Sequence, residues 1–62
     1  MNPLPTVLRL PMVIQTTGLA KSTIYQLMSE KKFPSPIKLS RRAVAWPLSE
    51  IERWIASRMR AH

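Results

Sequence analysis

A short polar stretch early in the chain carries side chains that can hydrogen-bond nucleic acid. Lys21 can bind guanine through its ammonium group, and Gln26 can form two hydrogen bonds with the edge of adenine. Ser22 and Thr23 are short enough to bind phosphate beside free backbone N–H groups at the beginning of a helix. The hydroxyl of Tyr25 can also reach a phosphate while its ring packs on the protein. We therefore predict contacts with the bases from Lys21 and Gln26. Contacts with the phosphates of the nucleic acid are predicted from Ser22, Thr23 and Tyr25.

The same residues also have purely structural interpretations, which the sequence leaves open. Gln26 would suit any exposed helix position, and Tyr25 could serve packing alone. Thr23 and Gln26 have the spacing of a capping box, in which side chains bond backbone N–H groups rather than a ligand.

Gly18 is the only glycine in the chain and lies where a first helix would end. Glycine often adopts the left-handed conformation at such an end, and Pro11 suits the first turn of the helix before it. Ser22, Gln26 and Ser29 point outward on the second predicted helix. This pattern is typical of a helix-turn-helix, whose second helix enters the DNA major groove. The inner faces of the two helices are predicted to hold Leu10, Val13, Ile14 and Thr17, and then Ile24, Leu27 and Met28.

A basic hairpin is predicted after this motif. The prolines of Phe33-Pro34-Ser35-Pro36 disfavour a helix there. The turn is predicted at residues 40–42, with Arg41 and Arg42 at the tip and Lys38 on the polar face. Such cations suit a wing that lies along phosphates or enters a minor groove, although paired arginines at a turn can also be a solvated loop tip. The alternation typical of a half-buried hairpin is carried by Ile37, Leu39, Val44 and Trp46.

A third helix is predicted to begin near residues 47–49, with Ser49 and Glu52 as a capping box. Trp46 and Trp54 lie in apolar patterns and are predicted, with Phe33, to supply much of the core. The apolar stripe of the third helix is predicted to be Leu48, Ile51, Trp54, Ile55 and Met59.

Three arginines of this third helix, Arg53, Arg58 and Arg60, are predicted to be surface charges, and contacts with distal phosphates stay open. The stem of Arg58 is expected to lie across the edge of the core while its charged head reaches water.

The order helix, turn, helix, basic hairpin, helix predicts an α+β, mostly α, fold. We expect a small winged helix-turn-helix domain over residues 9–60, with three helices and a two-stranded hairpin wing. Residues 1–8, with two prolines, are expected to form a flexible N-terminal arm.

Charge favours nucleic acid as the partner. The chain of 62 residues has a net charge of +7, from ten lysines and arginines against three acidic residues. No acid occurs before Glu30 or between Glu30 and Glu50, so the predicted second helix and hairpin are almost purely cationic. A basic surface that serves only solubility is the alternative.

Other classes of protein receive little support. The chain has no cysteine, and its one histidine, His62, is the last residue and is expected to be disordered, so we expect no enzyme activity, no metal and no cofactor. RNA binding would favour exposed aromatic residues, of which Tyr25 and Phe33 are the candidates. A cationic membrane-active or protein-interaction module would favour one amphipathic helix. No apolar run approaches the roughly 18 residues that span a bilayer, and a cytoplasmic, nucleoid-associated location is expected.

The combined motifs resemble the AlpA-type phage regulators, which are related to small MerR-like excisionases with a winged helix fold. The matching residues are Leu10-Pro11-x-Val13, Thr17-Gly18-Leu19-x-x-Ser22-Thr23-Ile24-Tyr25, Phe33-Pro34-x-Pro36-Ile37-Lys38-Leu39, Arg42, Trp46 and Glu50-Ile51-x-x-Trp54. The resemblance covers residues 9–56.

The resemblance implies a phage or prophage regulator that binds double-stranded DNA and controls an integrase gene. The alternative that it implies is an excisionase-type factor that bends attachment-site DNA. It assigns Lys21, Ser22, Thr23, Tyr25 and Gln26 to the recognition helix. It also assigns Lys38, Arg41 and Arg42 to the wing.

Partners and departures from the family pattern complete the expectations. Integrase and RNA polymerase are the candidate protein partners, and we expect a monomer that can bind adjacent DNA sites cooperatively.

Relatives usually have Ser in place of Ala20 and Gly in place of Ser40. A missing N-cap costs about 0.5–2 kcal/mol, so the recognition helix is expected to begin slightly later or to fray, and the wing turn to change its geometry.

Overall fold

Residues 6–60, which are the residues that this computed structural model describes, form three helices and a three-stranded antiparallel sheet. In chain order they are β1 (Val7–Leu8), α1 (Leu10–Thr17), α2 (Lys21–Ser29), β2 (Ile37–Ser40), β3 (Ala43–Pro47) and α3 (Leu48–Met59). The strand order β1-β3-β2 places β3 in the middle. This is a small α+β domain with the arrangement of a winged helix, which confirms the predicted fold class.

Strand β1 was not expected from the sequence. Val7 pairs with Pro47, and Leu8 pairs with Trp46, so both residues belong to the sheet and not to a flexible arm. Two residues are too few to show an alternating pattern, and the pairing depends on a partner far along the chain. The predicted arm is therefore too long at its C-terminal end, and residues 1–5 of it lie outside the described residues.

The pairing of the two hairpin strands does not fit the predicted alternation. Ile37 pairs with Ala45 and Lys38 with Val44, and a register irregularity lies between Lys38 and Ser40. The predicted alternation requires Ile37 to share a face with Val44 and Trp46, and in the structure it does not.

The burial of the two strands differs accordingly. Ile37 and Leu39 on the edge strand β2 are 42% and 47% exposed, so their predicted half-buried position is wrong. Ala45 and Trp46 are both fully buried, because the central strand β3 is covered on both faces. Helices α1 and α3 both contact β3.

The buried core takes one side chain from each helix, one from β3 and one from the segment after α2. Phe33 packs edge-on against both tryptophans, with ring centroids 6.4 Å from Trp46 and 4.9 Å from Trp54. Trp54 is only partly buried but packs against this cluster, which agrees with the predicted aromatic core. The buried cluster consists of Val13, Ile24, Phe33, Trp46 and Ile51.

Helix α3 begins without the predicted capping box. Pro47 is the N-cap residue, and within the described residues no side chain caps the helix. Strand β3 leads directly into α3, so Ser49 already lies inside the helix, and the backbone N–H of Leu48 donates to the carbonyl oxygen of Thr6 at 2.9 Å. The predicted apolar stripe is also wrong at its end, because Met59 is 72% exposed.

Within residues 6–60, no helix combines the length and the apolar character that crossing a lipid bilayer requires.

Candidate nucleic-acid interface

The turn between α1 and α2 is fixed by backbone geometry and by one hydroxyl group. Gly18 has a φ of 76°, and its N–H donates to the carbonyl oxygen of Ile14 at 2.8 Å. The Thr17 hydroxyl donates to the carbonyl oxygen of Val13 at 2.8 Å and accepts the N–H of Leu19 at 3.2 Å. The left-handed glycine was predicted. The role of the Thr17 hydroxyl was not, although a threonine that can bond the carbonyl four residues back is a recognisable signal.

Helix α2 begins at Lys21, directly after Ala20, so the later start expected from the missing cap does not occur. Ala20 is extended and provides no side-chain hydrogen bond, while its carbonyl oxygen accepts the first helical bond from Ile24 N–H at 3.0 Å. Thr23 lies inside the helix, so it is not the cap of a box with Gln26. Burial of Ile24 holds this turn of the helix in place.

All five residues predicted to contact DNA from this helix are exposed. The side chain of Tyr25 is among them, since this residue is 44% exposed. Ile24 is fully buried between them, and Leu27 and Met28 pack against the core, so the predicted inner and outer faces of α2 are confirmed. The exposed residues are Lys21, Ser22, Thr23, Tyr25 and Gln26.

Gln26 already has an intramolecular partner. Its side-chain amide Nε2 donates to Glu30 Oε2 at 3.3 Å, and the backbone carbonyl oxygen of Gln26 accepts the Ser29 hydroxyl at 2.7 Å. The bond to Glu30 is long and exposed to water, so a base edge could replace it at little cost.

Helix α2 ends in a left-handed turn that the sequence did not indicate. Lys31 has a φ of 60°, and its N–H donates to Met28 O at 3.0 Å. The N–H of Lys32 donates to Leu27 O at 2.8 Å. These two bonds form a Schellman motif with lysine in the position that glycine usually occupies, which directs the chain toward Phe33.

The hairpin places the second group of predicted residues at its tip and on its edge strand. Arg41 and Arg42 form the turn between β2 and β3, Lys38 lies on β2, and all three are exposed. Within residues 6–60, only Gly18 and Lys31 have positive φ, so this is not the mirror-image turn that matches the twist of two strands. The register irregularity before Ser40 accompanies this turn.

Among residues 6–60, the cations of both groups have no acidic partner. Within residues 6–60 the ion pairs are Lys32 with Glu30, at 3.8 Å, and Arg53 with Glu50, at 3.9 Å. The predicted contact residues Lys21, Lys38, Arg41 and Arg42 take part in neither. In the same part of the chain, no group of three or more metal-binding side chains comes together.

These observations define a class first: a small winged helix domain with an exposed polar second helix and a basic hairpin. The sequence matches the family model described as Prophage CP4-57 regulatory protein (AlpA) over residues 6–59. The chain therefore belongs to the AlpA family of prophage regulatory proteins, as the resemblance implied.

Two relatives match over most of both chains. "Uncharacterized protein ORF88" of Enterobacteria phage P4 is 40% identical over 62 residues, which cover 92% of this chain and 70% of the relative. The "DNA-binding transcriptional activator AlpA" of Escherichia coli (strain K12) is 40% identical over 58 residues, which cover 84% of this chain and 83% of the relative.

Proposed function

We propose that this protein is a sequence-specific double-stranded DNA-binding transcriptional regulator of a phage or prophage element, and not an enzyme. The observation that carries the proposal is the exposed side of α2. This side presents hydrogen-bonding side chains, while the buried Ile24 anchors the helix to the core. The similarity to a relative named as a DNA-binding transcriptional activator supports it.

In this proposal α2 enters the major groove with its N-terminal end leading. Lys21 and Gln26 contact base edges, and Gln26 exchanges its bond with Glu30 for an adenine edge. Ser22 and Thr23 bind phosphate at the positive end of the helix, where the first backbone N–H groups have no side-chain cap within the described residues. The Tyr25 hydroxyl binds a neighbouring phosphate.

The basic hairpin would act as a wing in the same complex. Lys38, Arg41 and Arg42 contact phosphates or the edge of the minor groove, because they are exposed and have no acidic partner within residues 6–60. The wing and α2 are attached to one core, since Trp46 of β3 and Ile24 of α2 belong to the same buried cluster.

At a finer level we propose that the protein controls an integrase gene, acting at the nucleoid in the cytoplasm. Integrase and RNA polymerase are the candidate protein partners, and monomers would bind adjacent sites cooperatively. An excisionase-type role, in which the protein bends attachment-site DNA, is the second candidate. The exposed basic hairpin suits it equally, because a wing along the duplex can stabilise bent DNA.

Footprinting on DNA from the protein's own genomic neighbourhood, followed by NMR titration with the protected duplex, tests the DNA-binding proposal. We expect a discrete protected site and chemical-shift changes at Ser22 through Ser29. With about five phosphate contacts, log K should fall with log salt at a slope of roughly −4 to −5. Undisturbed resonances in α2, or preference for a structured RNA competitor over the duplex, would contradict the proposal.

A second experiment separates the two finer roles. The native integrase transcript and excision of the element are measured with and without the protein. Integrase itself is produced from a separate gene copy under a foreign promoter, so excision does not depend on the native transcript. A regulator raises or lowers the native integrase transcript. Excision that requires the protein while the transcript is unchanged would support the excisionase role instead.

A further inference from the structure

A groove of about 630 Å³ lies between the end of α2 and one side of α3. The described residues that line it come from the segment after α2 and from α3. They include none of the side chains assigned above to DNA contact. The groove is therefore a separate surface of the domain.

The floor of this groove is aromatic. Trp54 packs edge-on against Phe33 at a centroid distance of 4.9 Å, and Pro34 lines the groove beside them. The indole N–H of Trp54 donates to the carbonyl oxygen of Lys32 at 2.8 Å, which fixes the orientation of the ring. Because this donor is already used, the exposed part of the ring offers apolar surface to a ligand.

Arg58 places a cation over this floor. Its Cζ atom lies 4.8 Å from the centroid of the Trp54 ring. A cation–π contact leaves N–H donors of the guanidinium group available for a carboxylate. Within residues 6–60, Arg58 takes part in neither of the ion pairs.

The walls of the groove add further positive charge. Lys31, Lys32 and Arg53 line it together with one acidic residue, Glu50. The bonds of Lys32 to Glu30 and of Arg53 to Glu50, at 3.8 and 3.9 Å, are long and largely exposed. Exposed ion pairs of this kind contribute about 0–1 kcal/mol, so an incoming carboxylate can compete for these cations.

We propose that this groove binds an acidic peptide segment of a partner protein. An apolar side chain of the peptide lies on Trp54, and its carboxylates bind Arg58 and the lysines at the end of α2. The proposal does not rest on the proposed DNA binding, because the two surfaces use different residues.

The aromatic floor favours a peptide over a DNA backbone as the occupant. Phosphates would neutralise the cations but would leave the exposed part of the Trp54 ring without an apolar partner. A peptide with alternating acidic and apolar side chains satisfies both.

The test is an NMR titration of the isotope-labelled full chain with the acetylated peptide Glu-Glu-Leu-Phe-Glu-Glu. We expect shifts at the Trp54 indole N–H and at the amides of Lys32 and Arg58, with the exposed residues of α2 unaffected. Replacing Leu and Phe of the peptide by Ala should weaken binding, because the contact with the aromatic floor is lost.

A matched pair of variants separates a specific groove from general attraction to a basic protein. Arg58→Gln should raise the Kd for the peptide about twofold to fivefold, whereas Arg60→Gln should leave it unchanged. Both remove one positive charge at the exposed end of α3, but Arg60 does not line the groove.

Three results would overturn the proposal: no binding of the peptide, equal effects of the two variants, or shifts centred on α2 and the hairpin. A larger loss of DNA affinity in Arg58→Gln than in Arg60→Gln would also overturn it, because the groove would then belong to the DNA surface. Footprinting of the unaltered protein reports on DNA binding independently of all these results.

Discussion

Gly18 and Lys31 are the residues between 6 and 60 that adopt positive φ, and each ends a helix of the helix-turn-helix. The two positions differ in the free-energy cost of this backbone conformation. Gly18 has no Cβ, and a Cβ built there would meet no atom within 4 Å, so it needs glycine for its backbone and not for space. Lys31 adopts the same conformation with a side chain, which costs roughly 1–2 kcal/mol.

Replacing Lys31 by Gly should therefore stabilise the domain relative to its matched control, Lys31→Ala. Both variants lose the same charge, but only glycine relieves the left-handed strain. We expect a difference of about 1 kcal/mol in the free energy of unfolding, or roughly 4–8 °C in Tm for a domain of this size. Thermal unfolding followed by circular dichroism measures it, and equal Tm values would show that position 31 is unstrained.

Gln26 is one of the two residues that contact base edges in the proposed complex. Gln26→Ala removes the amide that now bonds Glu30 and would bond a base edge, so discrimination among operator variants should fall by about 1–3 kcal/mol at one base pair. The slope of log K against log salt should stay nearly constant, because no phosphate contact is lost. Competition binding with single-base variants measures both quantities.

The neighbouring exposed variant Ser29→Ala serves as the control for Gln26. It should leave both the base preference and the salt slope unchanged. A Gln26→Ala protein with unaltered sequence preference would assign base recognition to other residues of α2.

At the scale of elements, the helices were predictable and the sheet was only partly so. Val13, Ile24 and Ile51 each belong to an apolar pattern within their own helix, and such a pattern is local. One glycine marks the turn, so the helix-turn-helix and the inner faces of its helices follow from the sequence. The pairing of Val7 with Pro47 joins distant parts of the chain and leaves no local pattern.

The errors in the hairpin and at the ends of α3 have similar physical causes. The irregularity between Lys38 and Ser40 shifts the strand register, which a strict alternation cannot anticipate. The continuous passage from β3 into α3 makes the cap at Ser49 unnecessary, since Thr6 supplies an acceptor for Leu48. Of the candidate site, the residue types and their exposure were predictable. The Thr17 hydroxyl bonds are local and leave a signal that the prediction did not use. The turn at Lys31 has no glycine to mark it, and the groove beside Trp54 depends on tertiary packing.

The hairpin should contribute affinity without specificity. Replacing Arg41 and Arg42 together by Gln should weaken binding to all DNA sequences similarly and flatten the salt slope by about 2, because two phosphate contacts disappear. The pair Arg53→Gln and Arg60→Gln removes the same charge from α3 and should change the slope less. Binding isotherms at several salt concentrations test this, and equal slopes for the two double variants would contradict a specific wing.

For the whole molecule, the two tryptophans join α2, the hairpin and α3 into one unit. Trp46 Nε1 donates to Pro34 O at 2.9 Å and Trp54 Nε1 donates to Lys32 O at 2.8 Å. Phe33 packs between them. The segment that connects α2 to β2 is thereby attached to the core, even though it has no regular secondary structure.

Phe33→Ala should unfold most of the protein under ordinary conditions. Removal of a buried phenylalanine costs about 3–5 kcal/mol, and a core of this size rarely supplies more than about 3–5 kcal/mol in total. Phe33→Leu keeps most of the buried volume and should remain folded with a lower Tm. Near-ultraviolet circular dichroism and urea unfolding measure the difference, and a stable, cooperatively folded Phe33→Ala protein would disprove the central role of this ring.

The outward residues of α2 have a consequence for how such regulators diversify. Their side chains do not contribute to the buried cluster that holds the fold together, and the one bond recorded from them to another side chain in the described region is the weak contact between Gln26 and Glu30. In the proposed complex, exchange of Lys21, Ser22, Thr23 and Gln26 would therefore change the preferred operator with little loss of stability against heat. A lineage of mobile elements would in this way acquire new target sites while it keeps a single architecture.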